Sequence, residues 1–343
     1  EIQGVFANRD YEPYARERDA RIEALYREGG RWFKGAKDQV VFEKSEVVKP
    51  DGLPYTVFTP YSRRWRAALE ANGVPSYPSE RLLDQGLRKS GPQNQVPSLE
   101  SMGFAPSSIS MPPKTWSHDT LVHYAQRRDI PSDEQGTTRL GLHLRFGTIS
   151  VRALLRAGQE VSETFVNELI WRDFYQMVLY HFPESPKKAI KPAYDRIKWE
   201  LNEEHFAAWC EGRTGYPMVD AGMRQLNTTG YMHNRVRMVV ASFLTKHLLL
   251  DWRWGEAYFA QKLLDYDQAS NVGGWQWASG SGTDAAPYFR IFNPQSQLEK
   301  FDRKLEYVQK WVPEYGTPSY PQPIVDHAWA RQRCLERYKS GLG

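Results

Sequence analysis

The chain has only two cysteines, Cys210 and Cys334, in 343 residues. A disulfide framework and a multi-thiolate zinc or iron–sulfur site are therefore excluded. Long hydrophobic runs are also missing. The best stretch, Phe243-Leu-Thr-Lys-His-Leu-Leu-Leu250, is charged and falls far short of the ~20 apolar residues of a membrane span. There is no signal-peptide pattern. The eight histidines are scattered, without His-Glu-x-x-His or a His/Cys cluster at ligand spacing, so no metal site is expected. Gly-x-Ser-x-Gly elbows and Walker loops are absent, which weakens hydrolase and nucleotide-triphosphatase readings. Neither sign of charge dominates: 45 Lys+Arg against 41 Asp+Glu leave +4, too mild for a basic-tail binder and too mixed for a disordered chain. What remains is a reduced, soluble, intracellular globular protein, expected to be cytoplasmic, monomeric and free of membranes.

Aromatic residues are what the chain has in quantity: 12 Trp, 19 Tyr and 15 Phe make up 13% of it. That many rings suit stacking on a planar ligand, although core packing accounts for most tryptophans in most proteins. At the N-terminal end, a strand signal in Glu1-Ile-Gln-Gly-Val-Phe6 precedes a polar helix from Pro13 to Arg27 and a second apolar run, Val40-Val-Phe42. The first residue is Glu, and this fragment reads as the tail of an α/β unit whose earlier strands are absent. Residues 46–114 read as connection more than core, with a short basic helix at 62–71 and five prolines between Lys89 and Pro113. From Trp116 onward helix patterns dominate. Ser150 is a predicted N-cap and Gly158 a predicted stop; further amphipathic helices are expected at 162–182, 217–228, 231–250 and 255–264.

Three stretches can carry chemistry. On the helix at 162–182, Glu168, Trp171, Arg172 and Tyr175 share one face. That face is either a solvated i,i+4 ion pair beside a half-buried Trp or the floor of a pocket for a planar polar group. Asn234 and Met238 form an i,i+4 pair on a second helix between Arg235 and Arg237, and Asn in mid-helix is intrinsically unfavourable. Gly136-Thr-Thr-Arg-Leu140 opens a helix with hydroxyl residues and free N–H groups, suited to a diphosphate or simply to capping. Asp265-Tyr-Asp267 and Asn271-Val-Gly-Gly-Trp-Gln-Trp277 add the densest polar, aromatic and glycine run, where paired glycines let a backbone approach a flat ligand.

Together these segments resemble the photolyase/cryptochrome family, specifically its class I cyclobutane pyrimidine dimer photolyases. The resemblance rests on Tyr55-Thr-Val-Phe-Thr-Pro60, Asn167-Glu-Leu-Ile-Trp-Arg172, Thr214-Gly-Tyr-Pro-Met-Val-Asp220, Met232-His-Asn-Arg235, Asp251-Trp252, Gly273-Gly-Trp-Gln-Trp277 and the run from Gly282 to Pro294. It covers essentially the whole chain. The fold it implies is mainly α: a remnant of a Rossmann-like α/β antenna domain at 1–45, a connector at 46–114, and an all-helical FAD-binding catalytic domain at 115–343. A longer N-terminal domain would precede residue 1. Its antenna pigment, of folate or deazaflavin type, is not identified by this sequence.

By resemblance, FAD contacts fall on Tyr124, Thr137, Thr138, Leu140, Arg237, Asp265, Asp267 and Asn271, with Asn271 at flavin N5. Gly141 departs from the family, standing where a hydroxyl is common. Glu168, Asn234 and Met238 match the pocket around a pyrimidine dimer, and Trp171 and Trp277 its aromatic walls. Arg128, Arg172, Arg235 and Arg290 match arginines that hold the lesion and its DNA phosphates. Trp275, Trp252 and Trp199 match a tryptophan chain that reduces resting flavin. The implied reaction is light-driven electron transfer from FADH⁻ to a flipped-out dimer, with the electron returned once the ring has split. A sensory cryptochrome is the main rival, and the repair set of Glu168, Trp171, Asn234, Met238 and Asn271 stands against it. A 6-4 photolyase should carry paired histidines where this chain has Met232-His-Asn234. Tyr231 replaces a Trp common in relatives.

Overall fold

The computed structural model describes residues 2–82, 96–285 and 287–343. Part of the predicted proline-rich connection, 83–95, lies outside the described residues. The chain opens with strand β1 (Gly4–Asn8), helix α1 (Pro13–Glu28) and strand β2 (Trp32–Ala36). The two strands pair in parallel, Gly4 opposite Trp32 and Asn8 opposite Ala36. The second strand therefore falls at 32–36 and not at the apolar Val40-Val-Phe42. Val40 and Val41 are buried, but the Val41 and Phe42 N–H groups donate to the Asp173 carboxylate at 3.1 and 3.0 Å. Their donors go to a side chain instead of a sheet neighbour.

Among the described residues, everything after β2 is helical or irregular apart from an isolated bridge between Glu200 and Leu250. In chain order the helices are α2 (Phe58–Asn72), the short α3 (His118–Val122), α4 (Tyr124–Arg127) and α5 (Gly141–Arg145), then α6 (Val151–Val161), α7 (Glu163–His181) and α8 (Glu203–Glu211). These are followed by α9 (Pro217–Thr229), α10 (Asn234–Ser242), α11 (Trp252–Lys262), α12 (Gln268–Ser279), α13 (Pro294–Phe301), α14 (Glu306–Trp311) and α15 (His327–Leu342). The fold is thus mainly α with a small βαβ unit ahead of the helical body. None of the described helices is long and apolar enough to cross a membrane.

Local chemistry explains most boundaries. Ser150 caps α6 by accepting from the Ala153 N–H, and Ser162 caps α7 by accepting from Phe165, each cap being worth about 1 kcal/mol. Gly158 does not stop α6, which continues to Val161. A Cβ there would lie 2.8 Å from the Phe165 ring, so the glycine admits α7 to close packing. The single helix expected over 231–250 is divided. Its first turn begins at Asn234, with His233 Nδ1 accepting from the Arg235 N–H at 3.2 Å. After Ser242 the backbone widens into a π turn, Phe243–His247.

Two cores result. One joins α2, α6 and α7 through Tyr61, Trp65, Leu154, Leu155, Ile170 and Phe174. The burial of α2 makes 58–72 part of the core, although the sequence there read as connection. The other joins α9, α10, α11, α12 and α14 through Met218, Met223, Val236, Val240, Trp252, Trp275 and Val308. Helix α7 packs on α12 and bridges them. Its fully buried side chains, such as Ile170 and Phe174, each contribute about 1.5–3 kcal/mol.

Asp173 fixes α7 in place. Besides the two backbone donors, its Oδ2 accepts the Trp65 Nε1–H at 2.9 Å. Burial pushes this carboxyl up to about 6, opposed by the hydrogen bonds from Phe42, Trp65 and Val41. Asp173→Ala, which strands three buried donors, should cost about 3 kcal/mol or more in denaturant unfolding, whereas Asp173→Asn keeps an acceptor oxygen and most of the stability. A carboxyl raised on folding contributes stability that is complete below about pH 4 and lost as pH rises through 6. The parent should therefore lose stability relative to Asp173→Asn across that window; a constant difference would contradict the assignment.

Candidate functional site

Helix α7 turns Glu168, Trp171, Arg172 and Tyr175 to one side, and all four line a cavity of about 490 Å³. Helix α10 adds Asn234, Arg235, Arg237 and Met238, and α12 adds Asn271, Gly274, Trp275 and Trp277. Arg128, Asp265 and Asp267 complete the wall from the segments between helices. The cavity therefore gathers the residues matched to a dimer and those matched to a flavin ring. Asn234 is exposed, whereas Trp275 is buried, which gives the cavity an open polar end and a closed aromatic one. Asn234 is not in mid-helix as the pattern suggested: it occupies the first turn of α10, where an unpaired N–H costs nothing extra.

The ion pairs differ from the helical i,i+4 reading. Glu168 pairs with Arg128, while Arg172 donates to the Gln39 backbone carbonyl. Arg235 pairs with Asp129 at 2.8 Å and lies over the Phe301 ring. Arg237 donates through Nε to the Met232 carbonyl at 2.7 Å and through one terminal nitrogen to both Asp265 oxygens at 3.0 and 2.8 Å. Burial works against the Arg237 charge, but Asp265 outweighs it and holds the guanidinium above its ordinary value.

The two glycines of Gly273-Gly274 do different work. A Cβ on Gly273 would strike the Tyr175 ring at 2.2 Å, so this glycine serves packing between α7 and α12. A Cβ on Gly274 would meet nothing within 4 Å and would project into the cavity. Next to it, the Asn271 amide donates to the Glu256 backbone carbonyl at 3.2 Å and to its carboxylate at 3.0 Å, leaving the Asn271 carbonyl oxygen as the group available to a ligand. Asp267 is committed to structure: it caps α12 by accepting from Ser270 N–H at 2.8 Å and accepts from Gln176 at 2.8 Å.

A second cavity, of about 880 Å³, shares Asp265 with the first. Thr137, Thr138, Arg139, Ser132 and Tyr231 line it. Arg139 stands at φ 52°, in the left-handed region, and its buried Nε has no partner among the described residues. Tyr231, the departure from the tryptophan of relatives, lies within 3.4 Å of the Thr137 hydroxyl and beneath the Arg139 and Arg237 guanidiniums.

Some anticipated residues sit elsewhere. Tyr124 and Leu140 are buried in the α2–α6–α7 core and line neither cavity. Arg290 is exposed and borders a narrow cleft beside Trp277. Trp252 shares the core that holds Trp275, with Trp199 packed against that core. The indole in edge contact with Trp275, however, is Trp209, at 6.0 Å between ring centres. Sequence reading missed Glu256 and Gln176. Neither has a local signal, since each matters only through a residue distant along the chain. Arg139 lay inside the stretch Gly136-Thr-Thr-Arg-Leu140 but was not singled out within it.

The fold is a helical body with two cavities that meet at Asp265, one walled by indoles and the other lined by hydroxyls and an Arg139 nitrogen unpartnered among the described residues. The family described as the FAD binding domain of DNA photolyase matches residues 165–319, and DNA photolyase matches residues 1–79. The chain belongs to the DNA photolyase family. It is 39% identical to the deoxyribodipyrimidine photo-lyase of Escherichia coli, over 99% of this chain and 79% of that one. With that of Alkalihalophilus pseudofirmus it shares 36% identity at the same coverage. Among solved structures, a class III photolyase from Agrobacterium tumefaciens matches with TM-score 0.86 and 36% identity, covering 99% of this chain and 80% of that one. An archaeal photolyase from Sulfolobus tokodaii, solved with two FAD molecules, matches with TM-score 0.80 and 34% identity over 99% and 79%.

The residues present fit FAD. The open space over Gly274 and the aromatic wall suit a flat ring, and the unpartnered Arg139 donor beside two threonines suits a phosphate arm. Arg237→Gln would leave the Asp265 carboxylate without its counter-charge in the wall common to both cavities. Flavin-to-protein ratio after gel filtration should fall at least twofold; full retention would show that the pair is dispensable for binding.

Proposed function

We propose that the chain repairs ultraviolet-damaged DNA under light by splitting cyclobutane pyrimidine dimers. The observation that carries this reading is the convergence of Glu168, Trp171, Asn234, Met238 and Trp277 on one cavity with Asn271, Gly274 and Trp275. FAD, when bound in its reduced form, would supply light-driven one-electron transfer with the electron returned to it. Thr137, Thr138 and Arg139 would hold its phosphate arm, and Arg237, Asp265, Asn271 and Gly274 its ring. Two carbon–carbon bonds break in the dimer, and with the electron returned there is no net oxidation.

The protein's own work is capture and polarisation. A dimer sits inside a duplex and must leave the stack, as substrates of base-flipping enzymes do, at a cost of a few kcal/mol that its poor stacking lowers. Trp171 and Trp277 replace the lost stacking, at about 1–3 kcal/mol per base. Glu168 and Asn234 place polar atoms where the dimer's carbonyls gain negative charge, an electrostatic role set up before the reaction starts. Arg128 holds Glu168 in that position. Arg172, Arg235 and Arg290 meet backbone phosphates, giving affinity without sequence preference.

The deciding experiment is light-dependent loss of cyclobutane dimers from a defined oligonucleotide, double- and single-stranded, with dark controls. Repair in light alone is expected; dimer binding without any repair would favour a sensory role. Trp171→Ala should weaken binding of dimer-containing DNA about tenfold while flavin stays bound, and equal affinity would remove Trp171 from the wall. Glu168→Ala should lower repair yield with little change in lesion affinity; an unchanged yield would end its electrostatic role. Trp252→Phe should slow photoreduction of oxidised flavin yet leave repair by chemically reduced protein near normal, and loss of both would mark structural damage.

A further inference from the structure

Trp171 does not stand alone in its wall. Phe58, the first residue of α2, lies flat against it, with ring centres 3.6 Å apart and an interplanar angle of 2°. Phe174 closes one edge of both rings, at 5.6 Å from Trp171 and 5.8 Å from Phe58. Phe58 is buried whereas Trp171 is half-buried. One face of the indole is therefore spent on Phe58, and a ligand in the cavity can stack only on what remains.

Phe58 is itself tied to the far side of the site. Its N–H donates to Asp284 Oδ1 at 3.3 Å, and the Asp284 N–H donates to the Thr56 carbonyl at 2.9 Å. Asp284 belongs to the loop that leaves α12, the helix carrying Trp277, and that loop is fastened to α12 by the Gly282 N–H on the Gln276 carbonyl at 3.0 Å. Asp284 adopts φ 48°, a left-handed conformation that costs a non-glycine residue free energy and persists where surrounding contacts impose it. The two indole walls are thus linked in sequence: Trp277, its helix, the 282–284 loop, Asp284, Phe58, Trp171.

We propose that Phe58, held by Asp284, is a positioning residue that fixes the tilt of Trp171 and its separation from Trp277, and so sets how tightly an extruded dimer is stacked. The inference rests on the reading of the cavity as a dimer pocket. Phe58 touches neither substrate nor cofactor; it acts through Trp171. Substituting leucine keeps the site apolar and nearly filled but removes the flat face, whereas tyrosine keeps the ring.

The test uses the flavin-loaded protein with dimer-containing and undamaged oligonucleotides. Phe58→Leu should weaken dimer binding about tenfold, with flavin content, affinity for undamaged DNA and repair yield per bound dimer all at parental values, and Phe58→Tyr should restore dimer affinity. Should Phe58→Leu not fold, Asp284→Ala removes the acceptor that holds the Phe58 backbone N–H and should weaken dimer binding about threefold by the same criteria. Parental dimer affinity in both Phe58→Leu and Asp284→Ala overturns the proposal. So does a loss for undamaged DNA or flavin in the same proportion, which would make Phe58 a general packing residue. If the parent protein itself fails to prefer dimer-containing DNA, the dimer-pocket reading fails first.

Discussion

One buried carboxylate governs the geometry of the site. Asp173 has no exposed surface, and it accepts from Val41, Phe42 and Trp65, which belong to two segments far away along the chain. Rotating α7 would strand all of those donors in a medium that offers no water. In a helix Asp173 lies well round from the face of Glu168, Trp171, Arg172 and Tyr175, so pinning one side aims the other. The same strap that feeds Asp173 also supplies Gln39, whose carbonyl receives Arg172. A single anchoring contact thereby sets helix rotation, a cation and an indole together.

Charge in the cavity is arranged rather than merely accumulated. Arg128, Arg235 and Arg237 each have a carboxylate partner, Glu168, Asp129 and Asp265 respectively. Pairing lets half-buried guanidiniums keep their charge without leaving a lone ion in a low dielectric. Arg172 is held by a carbonyl, a neutral acceptor. Behind the aromatic end, and outside the cavity lining, Glu256 accepts from Asn271; burial pushes its carboxyl up, partly relieved by Asn271 and Tyr266. A polar rim and an aromatic wall suit a ligand that combines charge with a flat ring.

Much of this was legible along the chain, for reasons that differ by residue. The face shared by Glu168, Trp171, Arg172 and Tyr175 follows from helical spacing alone, and the cap at Ser150 follows from hydroxyl chemistry before an apolar run, whereas the expected helix at 162–182 took its cap, Ser162, as a helical residue. The mainly α class follows from the long periodic stretches after Trp116. What failed to show was everything settled by distant partners. Val40-Val-Phe42 looks like a strand until Asp173 claims its donors. Glu168 and Arg172 look like an ion pair until Arg128 and Gln39 offer better geometry. Gly158 looks like a stop until Phe165 needs its space, and 231–250 looks continuous because nothing local marks the π turn at Phe243–His247. Phe58 sat in a stretch read as connection, and its stacking on Trp171 brings together residues 113 positions apart along the chain.

Function in this fold turns on where two flat molecules lie. The most direct test is a structure of the chain with FAD and an oligonucleotide containing one cyclobutane dimer. The expected result is an extruded dimer between Trp171 and Trp277, with the flavin ring over Gly274 beside Asn271 and its phosphates at Thr137, Thr138 and Arg139. A flavin bound away from Gly274, or a dimer left stacked in its duplex while the cavity between the two indoles stays closed, would contradict it.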